Sequence, residues 1–312
     1  MSANVKSVNT IDYEKPKNII IHLTGNGIAT RLHKPVLDTF DNVVTKFVYL
    51  SDAGLSEYQS GDWLILGTPV YKQKNHIISA CRSYSKILCE KPVALSLNEI
   101  DTIKEAISQN NTLFRVNYAL RFLPVIDDIS EFMAGNEIKS ISVTCNANFN
   151  SKRANGEWKN NYKLGGGILY SIFPHFIDLL NFLKCEPDLH SISFESTTKV
   201  PMNDIKFSAK TLNECAINVN INLCQNFDEL TIKVETEDKT KTFDLINAPE
   251  CVLDGTKYLN DTLSATSKVS PWRISFKNLL KELLSNPNDY RLAKIEDAEK
   301  VHKILSVILS KS

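Results

Sequence analysis

The sequence predicts an α/β protein with an N-terminal Rossmann-type parallel sheet, which is shortened, and a C-terminal α+β domain with a large, mainly antiparallel open sheet. Strand-like and helix-like segments alternate over residues 18–117, as in doubly wound sheets. A glycine turn follows the first of these strands, and segments of alternating polarity dominate beyond residue 117. For 312 residues we expect two domains, covering residues 1–118 and 119–312.

The composition excludes several classes of function. Lysine plus arginine and aspartate plus glutamate number 36 each, and there is no polybasic run, so we expect no nucleic-acid partner. No apolar segment approaches the roughly 20 residues of a membrane span, and the polar N-terminus lacks a signal-peptide core. Seven scattered cysteines and six histidines show no metal-binding spacing. We therefore expect a cytoplasmic protein with reduced thiols and no metal.

The first strand ends in a glycine turn that is typical of a phosphate site. An apolar, β-branched segment runs into Gly25–Asn26–Gly27, and a helical segment follows from Ala29 to about Phe40. Glycines let the backbone approach a pyrophosphate, and a helix N-terminus favours its charge. Thr30 stands where the third glycine or an alanine of the usual motif belongs, which predicts a slightly displaced helix. A plain tight turn is the alternative interpretation.

Asp52 is the one candidate for the acidic residue that usually binds the adenosine ribose. Asp52 follows the second strand, residues 43–50. The next strand, residues 62–69, begins too soon for a complete mononucleotide-binding half. This half is therefore shortened, and Asp52 is either a ribose ligand or a loop acid.

A charged pair stands at the end of a later buried strand. The apolar residues 87–89 run into Glu90–Lys91–Pro92, where an acid and a base are costly without a function. Pro92 keeps Lys91 out of helical conformation and permits a cis peptide bond. The same tripeptide occurs at residues 14–16 in a polar segment. The position of residues 90–92 at the end of a buried strand, rather than the tripeptide itself, therefore indicates a function. Lys91 is expected at the sheet edge where open α/β sheets bind ligands.

The second domain contains a glycine triplet followed by an apolar helix. Three glycines at 165–167 indicate a backbone that approaches another group closely. Ser171, His175 and Asp178 share one face at helical spacing. Pro174 predicts that the regular helix begins near residue 173, where the helix dipole favours a neutral imidazole. His175 is therefore either a general base or a satisfied core histidine.

Together these motifs resemble one family in their order and spacing. The motifs are GNG at 25–27, GTP at 67–69, EKP at 90–92, NYxxRFxP at 117–124, GGG…H…D at 165–178 and a closing RLAKIEDAEKVHKIL. They resemble the family named for glucose–fructose oxidoreductase, inositol dehydrogenase and MocA.

The resemblance implies an NAD- or NADP-dependent dehydrogenase or reductase. It would transfer a hydride between the nicotinamide and a hydroxyl-bearing carbon of a sugar, cyclitol or nucleotide-linked sugar. Lys91 would hold the reacting hydroxyl, and His175 would take its proton directly or through Ser171. The cofactor would be lined by Gly25, Asn26, Gly27, Ile28, Asp52, Thr68, Pro69, Glu90, Lys91 and Asn117. The substrate would contact Lys91, Arg121, Trp158, Tyr162, His175 and Asp178.

Two other functions remain open on the same fold. Ser171 stands where the family usually has an aspartate, and the nucleotide-binding half is short; both favour a non-catalytic ligand sensor or assembly partner. A reductase of C=C or C=N bonds would use Lys91 or His175 only as a proton donor. An open sheet needs another surface to cover it. We therefore also expect a homodimer or homotetramer that forms through the C-terminal sheet, and the resemblance to the family implies the same.

Overall fold

A computed structural model describes residues 18–51, 54–55, 61–148, 157–197, 203–246 and 271–311. The N-terminal sheet has five parallel strands in the order β2-β1-β3-β4-β5. The strands are β1 (Ile19–Thr24), β2 (Val43–Phe47), β3 (Trp63–Leu66), β4 (Lys86–Cys89) and β5 (Leu113–Val116). Among the described residues a single strand, β2, lies beyond β1 on its outer side, as predicted for a shortened Rossmann half.

Three helices connect these strands. A π-helical segment (Ala29–His33) continues into α1 (Lys34–Leu37), and α2 (Val70–Cys81) and α3 (Leu97–Gln109) follow. The hydroxyl of Ser96 caps α3 by accepting a bond from the Glu99 amide, as the sequence predicts. Apolar residues on each connection pack on a sheet face and set the strand ends side by side at one edge.

The second sheet has six strands in the order β11-β10-β6-β9-β8-β7. They are β6 (Ser140–Asn148), β7 (Ser193–Glu195), β8 (Asp204–Lys210), β9 (Ala216–Asn222), β10 (Cys224–Glu235) and β11 (Thr240–Asp244). All neighbouring pairs are antiparallel except β6 with β9. The predicted fold class is thus confirmed. β8 was not predicted, although the alternating polarity of its residues is a strand signal.

Among the described residues, helices cover one face of this sheet and leave the other open. The helices of this part of the chain are α4 (Val125–Ala134), α5 (Ile168–Ser171), α6 (Phe173–Phe182), α7 (Pro271–Ser285) and α8 (Ile295–Lys311). The side chains of Ile141 and Val219 are buried in the core, whereas Ser142 and Asn220 alternate with them on the opposite face. The open face is therefore polar rather than apolar.

The last helices return to the first sheet. Phe276, Leu279 and Leu280 of α7 share a core with Ile21 and Leu23 of β1. A second, larger core runs from the N-terminal sheet through α6 and α8 into the C-terminal sheet. The division at residue 118 stays a prediction, and the two sheets are joined by continuous apolar packing.

A buried ion pair links the end of the first sheet to α6. The guanidinium of Arg121 donates to both carboxylate oxygens of Asp178, at 2.8 and 2.6 Å, and also pairs with Asp297 at 3.2 Å. The side chains of Arg121 and Asp178 are only 3% and 2% exposed. Burial raises the pKa of Asp178 to about 6, so its carboxylate is charged at neutral pH. These contacts correct the expectation that Arg121 and Asp178 bind substrate, because both side chains are buried and hydrogen-bond to each other.

Removing either partner of this pair should destabilise the fold strongly. We expect Arg121→Leu or Asp178→Leu to lower the free energy of unfolding by about 3–5 kcal/mol, because an uncompensated charge stays buried. The double variant should lose less than the sum of the two. Urea unfolding of all three proteins measures this coupling. Lys210→Ala removes an exposed pair with Glu214 and serves as control, with a change within about 1 kcal/mol. Additive losses from Arg121 and Asp178 would contradict the coupling.

Candidate active site

The glycine turn after β1 lies directly against the end of β3. Gly25 has a φ of +88°, and a Cβ at this position would overlap the carbonyl oxygen of Gly67. The Gly67 amide in turn donates to the hydroxyl of Thr24 at 3.1 Å. Only glycine satisfies both the positive φ and the close approach. Two neighbouring strand ends are thereby fixed at one edge of the sheet.

The second glycine of the turn faces open space. Among the described residues, only the guanidinium of Arg31 comes within 4 Å of a Cβ built on Gly27, at 3.9 Å. The Thr30 hydroxyl donates to the carbonyls of Asn26 and Gly27, at 2.7 and 3.1 Å. The helix opens as a π turn, so the altered motif is accommodated by a local change of helix geometry. The open turn, the helix start and Arg31 form a cradle suited to a phosphate.

The residues after β3 join this edge to α2. The Ile28 side chain packs over Gly67, where an added Cβ would meet it at 3.0 Å. The Thr68 hydroxyl bonds His76 Nδ1 at 3.1 Å, and Pro69 precedes the first turn of α2. Asp52, the predicted ribose ligand, lies outside the described residues.

A buried hydrogen-bond network holds Glu90. One carboxylate oxygen accepts from Asn117 Nδ2 at 2.6 Å and contacts His33 Nε2 at 2.7 Å. Although burial opposes ionisation, His33 and the charge of Lys91 lower the pKa of Glu90, so the carboxylate is charged. The Gln73 amide donates to the carbonyls of Thr68 and Glu90, both at 3.2 Å. The turns after β3 and β4 are therefore held by a shared set of polar contacts.

Lys91 bridges the two halves of the molecule. It stands two residues after the end of β4, a cis Lys91–Pro92 peptide bond follows it, and its half-buried ammonium donates to the backbone carbonyl of Ser171. Burial lowers the pKa of Lys91 to about 8, and the neighbouring carboxylate of Glu90 opposes that shift. An ammonium with this pKa is charged at neutral pH and can give up a proton more easily than an ordinary lysine.

His175 lies in the first turn of α6, which begins at Phe173 as predicted. Burial, together with the charge of Lys91, holds the pKa of His175 well below its usual value. The imidazole is therefore neutral at physiological pH. Its Nδ1 has no hydrogen-bond partner among the described residues. A neutral, buried imidazole beside a cationic lysine has the properties of a general base.

Ser171 and His175 lie on separate helices. Ser171 ends α5, Ile172 interrupts the helix, and α6 carries His175. The Ser171 side chain is exposed, and it is the carbonyl of Ser171 that contacts Lys91. This break corrects the expected continuous helical face, and the described contacts show no hydroxyl relay to His175.

The glycine triplet brings the second domain close to the first. Gly165 has a φ of +81°, and its Cβ would lie 2.7 Å from Val70 Cβ at the start of α2. A Cβ on Gly166 would overlap the carbonyl oxygen of Trp158. The predicted close backbone approach is therefore observed at two of the three glycines. It sets the segment 157–164 beside the glycine turn.

Cations from both domains meet near this segment. Burial lowers the pKa of Lys159, and the positive charge of Arg31 on the nucleotide-binding turn lowers it further. Lys159 lies 6.0 Å from the ring centre of the half-buried Trp158, and Tyr162 is 39% exposed. Lys159 and Arg31 thus flank the same edge of the first sheet.

Several site residues carry little signal in the sequence. Trp272 of α7 packs on His175 with ring centres 4.8 Å apart, and Tyr118 meets the same imidazole edge-on at 6.4 Å. Phe276, one turn further along α7, stacks on His33 at 4.7 Å. Tyr118 falls inside the NYxxRFxP segment and could have been found there. His33 and Trp272 are brought in only by tertiary packing.

Within the described ranges, no cluster of three or more histidine, cysteine or acidic side chains could hold a metal ion. The helices of that same part of the chain are all too short or too polar to cross a bilayer.

These features define a dinucleotide-binding protein with a Rossmann sheet and a second, sheet-containing domain. Residues 27–118 match the family model described as "Oxidoreductase family, NAD-binding Rossmann fold". This match covers most of the first sheet, and the matching family is the one named for glucose–fructose oxidoreductase, inositol dehydrogenase and MocA, which the order of the sequence motifs also resembles. The predicted nicotinamide dinucleotide is confirmed at the level of this NAD-binding fold.

Similar proteins cover nearly the whole chain. Glucose-6-phosphate 3-dehydrogenase of Bacillus subtilis (strain 168) is 22% identical, with 93% of this chain and 95% of the relative aligned. GenD2 from gentamicin A biosynthesis, solved in complex with NAD, has a TM-score of 0.70 at 15% identity and 96% coverage of both chains. A putative myo-inositol dehydrogenase from Sinorhizobium meliloti 1021 has a TM-score of 0.72 at 12% identity, covering 95% of this chain and 98% of that one. The two structures establish the fold.

Substituting Gly25 should disrupt the edge of the first sheet. We expect Gly25→Ala to lower the free energy of unfolding by about 3 kcal/mol, because alanine at positive φ is strained and its Cβ overlaps the Gly67 carbonyl. Gly135→Ala is the matched control, since its φ is −98° and a Cβ there meets no described atom within 4 Å. Its change should stay within about 0.5 kcal/mol. Equal denaturation curves for the two variants would contradict the assigned packing.

Proposed function

We propose that this protein transfers a hydride between a nicotinamide dinucleotide and a hydroxyl-bearing carbon of a sugar, cyclitol or nucleotide-linked sugar. The observation that carries the proposal is the pairing of Lys91 with the neutral His175. The two groups come from different domains, and Lys91 influences the pKa of His175 directly. A charged donor beside a neutral acceptor suits the interconversion of an alcohol and a carbonyl group.

The residues at the edge of the first sheet fit a dinucleotide. Gly27 and the start of the π turn would hold the pyrophosphate, assisted by the charges of Arg31 and Lys159. Asn117 Oδ1 is buried and has no described hydrogen-bond partner, so it can accept a hydrogen bond from a bound group. When bound, the nicotinamide supplies or accepts the hydride. Preference for NAD or NADP depends on contacts at the adenosine end, where Asp52 remains our predicted ribose ligand.

Lys91 and His175 would share the movement of the proton. In alcohol oxidation, Lys91 donates a hydrogen bond to the substrate oxygen and stabilises its negative charge. His175 accepts the hydroxyl proton at its unpaired ring nitrogen. In the reverse direction, the protonated His175 returns the proton to the substrate oxygen while the charged Lys91 donates a hydrogen bond to the carbonyl oxygen. The Ser171 carbonyl orients the ammonium for both directions, which is a backbone role in place of the family's usual aspartate.

The substrate class follows from the surroundings of His175. Trp272 is half-buried beside the imidazole, and its aromatic surface is of a kind that packs well against the C–H faces of a sugar or cyclitol ring, whereas the buried Tyr118 supports the imidazole from within the core. Trp158 and Tyr162 remain proposed substrate contacts from the segment beside the glycine turn. The similarity to glucose-6-phosphate 3-dehydrogenase makes sugar phosphates the first compounds to test. Lys159 supplies a positive charge for an anionic substituent.

Cofactor binding is tested by thermal shift with NAD, NADH, NADP and NADPH. A ligand that binds the folded state must raise the unfolding temperature, so at least one nucleotide should stabilise the protein. At a concentration of about 100 times its Kd, the gain is roughly 2.7 kcal/mol. Arg31→Ala should weaken this stabilisation, while Lys210→Ala, at an exposed position on β8, should leave it unchanged. The absence of any shift at millimolar nucleotide would favour the sensor or assembly function instead.

Turnover is tested with Lys91→Met and His175→Asn. Once a panel of sugars, cyclitols, sugar phosphates and nucleotide sugars has identified a substrate, each variant should lower kcat by roughly 10²-fold or more, as expected for a lost acid–base group. Nucleotide binding by thermal shift should persist, which separates chemistry from folding. Near-normal rates in both variants would overturn these roles.

The same assay has an expected pH dependence. Alcohol oxidation needs charged Lys91, which stabilises the negative charge that develops on the substrate oxygen, so its rate should fall as pH rises through the Lys91 pKa of about 8. Lys91→Arg stays protonated and should move that decline to higher pH, whatever its absolute rate. His175 should contribute no transition between pH 7 and 8, because its pKa lies well below 6.5. A decline left unchanged in Lys91→Arg would assign it to another group.

Assembly through the open face of the second sheet remains our prediction. Asn218 pairs in register with Ser142, and Asn220 with Thr144, across the parallel strands β6 and β9. These polar side chains would meet a second copy through hydrogen bonds rather than by apolar burial.

A further inference from the structure

A cavity in the second domain lies apart from the candidate active site. It has a volume of about 530 Å³ and opens between α4, the end of α6 and the turn that joins β8 to β9. Its lining includes Met133, Phe182, Lys184 and Glu137, together with two cysteines, Cys185 and Cys215. None of these residues belongs to the proposed site for cofactor or substrate.

The two cysteines come from separate segments and meet in this cavity. Cys185 follows α6, where its amide donates to the Leu180 carbonyl at 2.8 Å. Cys215 ends the turn before β9, where its carbonyl accepts from the Thr211 amide at 2.9 Å. Both side chains line the same cavity, and each thiol shifts the pKa of the other. Both backbones are therefore held in place where the two thiols share one cavity.

We propose that Cys185 and Cys215 form a reversible disulfide, with a low-molecular-weight disulfide as the oxidant that enters through the cavity. Thiol–disulfide exchange needs a reactive sulfur, a second sulfur within reach and access for the oxidant. The shared lining of one cavity by both thiols supplies the last two. The first requirement, a reactive sulfur, depends on which of the two thiols ionises more readily.

The environment favours Cys215 as the attacking group. The hydrogen bond from Cys185 lowers the pKa of Cys215 and raises that of Cys185. Cys81, Cys89 and Cys145 have pKa values raised mainly by burial. Of the five cysteines whose side chains the structure describes, Cys215 thus has the thiol that ionises most readily. Lys184 and Glu137 add one charge of each sign to the cavity.

The exchange balances in two steps. The Cys215 thiolate attacks one sulfur of the oxidant, forming a mixed disulfide and releasing one small thiol. The Cys185 sulfur then attacks Cys215, which forms the protein disulfide and releases the second small thiol. Two electrons pass from the cysteine pair to the oxidant, and the two thiol protons end on the released thiols. The product ties the end of α6 to the turn between β8 and β9.

Glutathione disulfide tests the proposal on the full-length native protein. After treatment, the remaining thiols are alkylated under denaturing conditions, and the protein is digested without reduction. We expect mass spectrometry to find the Cys185 and Cys215 peptides linked, with two of the seven thiols protected together and recovered by dithiothreitol. Full alkylation of both residues, separate glutathione adducts on each, or linkage to other cysteines would overturn the proposal.

Three variants sharpen the result. Cys185→Ser removes the second nucleophile, so Cys215 should retain one glutathione as a stable mixed disulfide. Cys215→Ser removes the attacking group and should abolish the linkage, with little adduct at Cys185. Cys145→Ser is the matched control, since Cys145 is also buried but its pKa is raised to about 11, and the Cys185–Cys215 linkage should form normally. A stable adduct on Cys185 in place of Cys215 would refute the assigned order of attack.

Discussion

The hydrogen bond from Lys91 to the Ser171 carbonyl is the interaction on which the proposed site depends. It joins the end of a parallel strand to the short helix that precedes α6. Because it uses a backbone carbonyl, it fixes Lys91 whatever side chain position 171 carries. Burial keeps the His175 imidazole neutral, and the positive charge of Lys91 lowers its pKa further. The contact therefore positions Lys91 and contributes to the protonation state of His175.

Behind that contact lies a layer of buried polar residues. Glu90 is held by His33 and Asn117, while Gln73 joins the turns after β3 and β4. Phe276 of α7 stacks on His33, so a helix near the end of the chain supports the start of the first sheet. These hydrogen bonds are costly to disturb, because the groups that form them have been removed from water. The charge of Glu90 in turn moderates the loss of basicity at Lys91.

Local sequence signals predicted most of the fold and part of the site. The glycine turn, Lys91 at a strand end and His175 in an opening helical turn were all predicted, because glycine, proline and strand patterns act over a few residues. The prediction that Arg121 and Asp178 contact substrate was wrong because the two side chains pair in the interior. A sequence cannot show that two distant charges form such a pair. Trp272 was missed because only tertiary packing carries it to His175. Helical periodicity through Ser171 hid the break at Ile172.

The approach of Gly165 to Val70 has a consequence for motion. A backbone segment of one domain rests on the first turn of a helix of the other, and the shared apolar core continues behind it. Hinge opening at this point would expose that core to water, which is unfavourable. The distance between the two sheets is therefore set by atoms that cannot change rotamer. Ligand entry and exit would depend on side chains such as Trp272 rather than on a rigid-body swing of the domains.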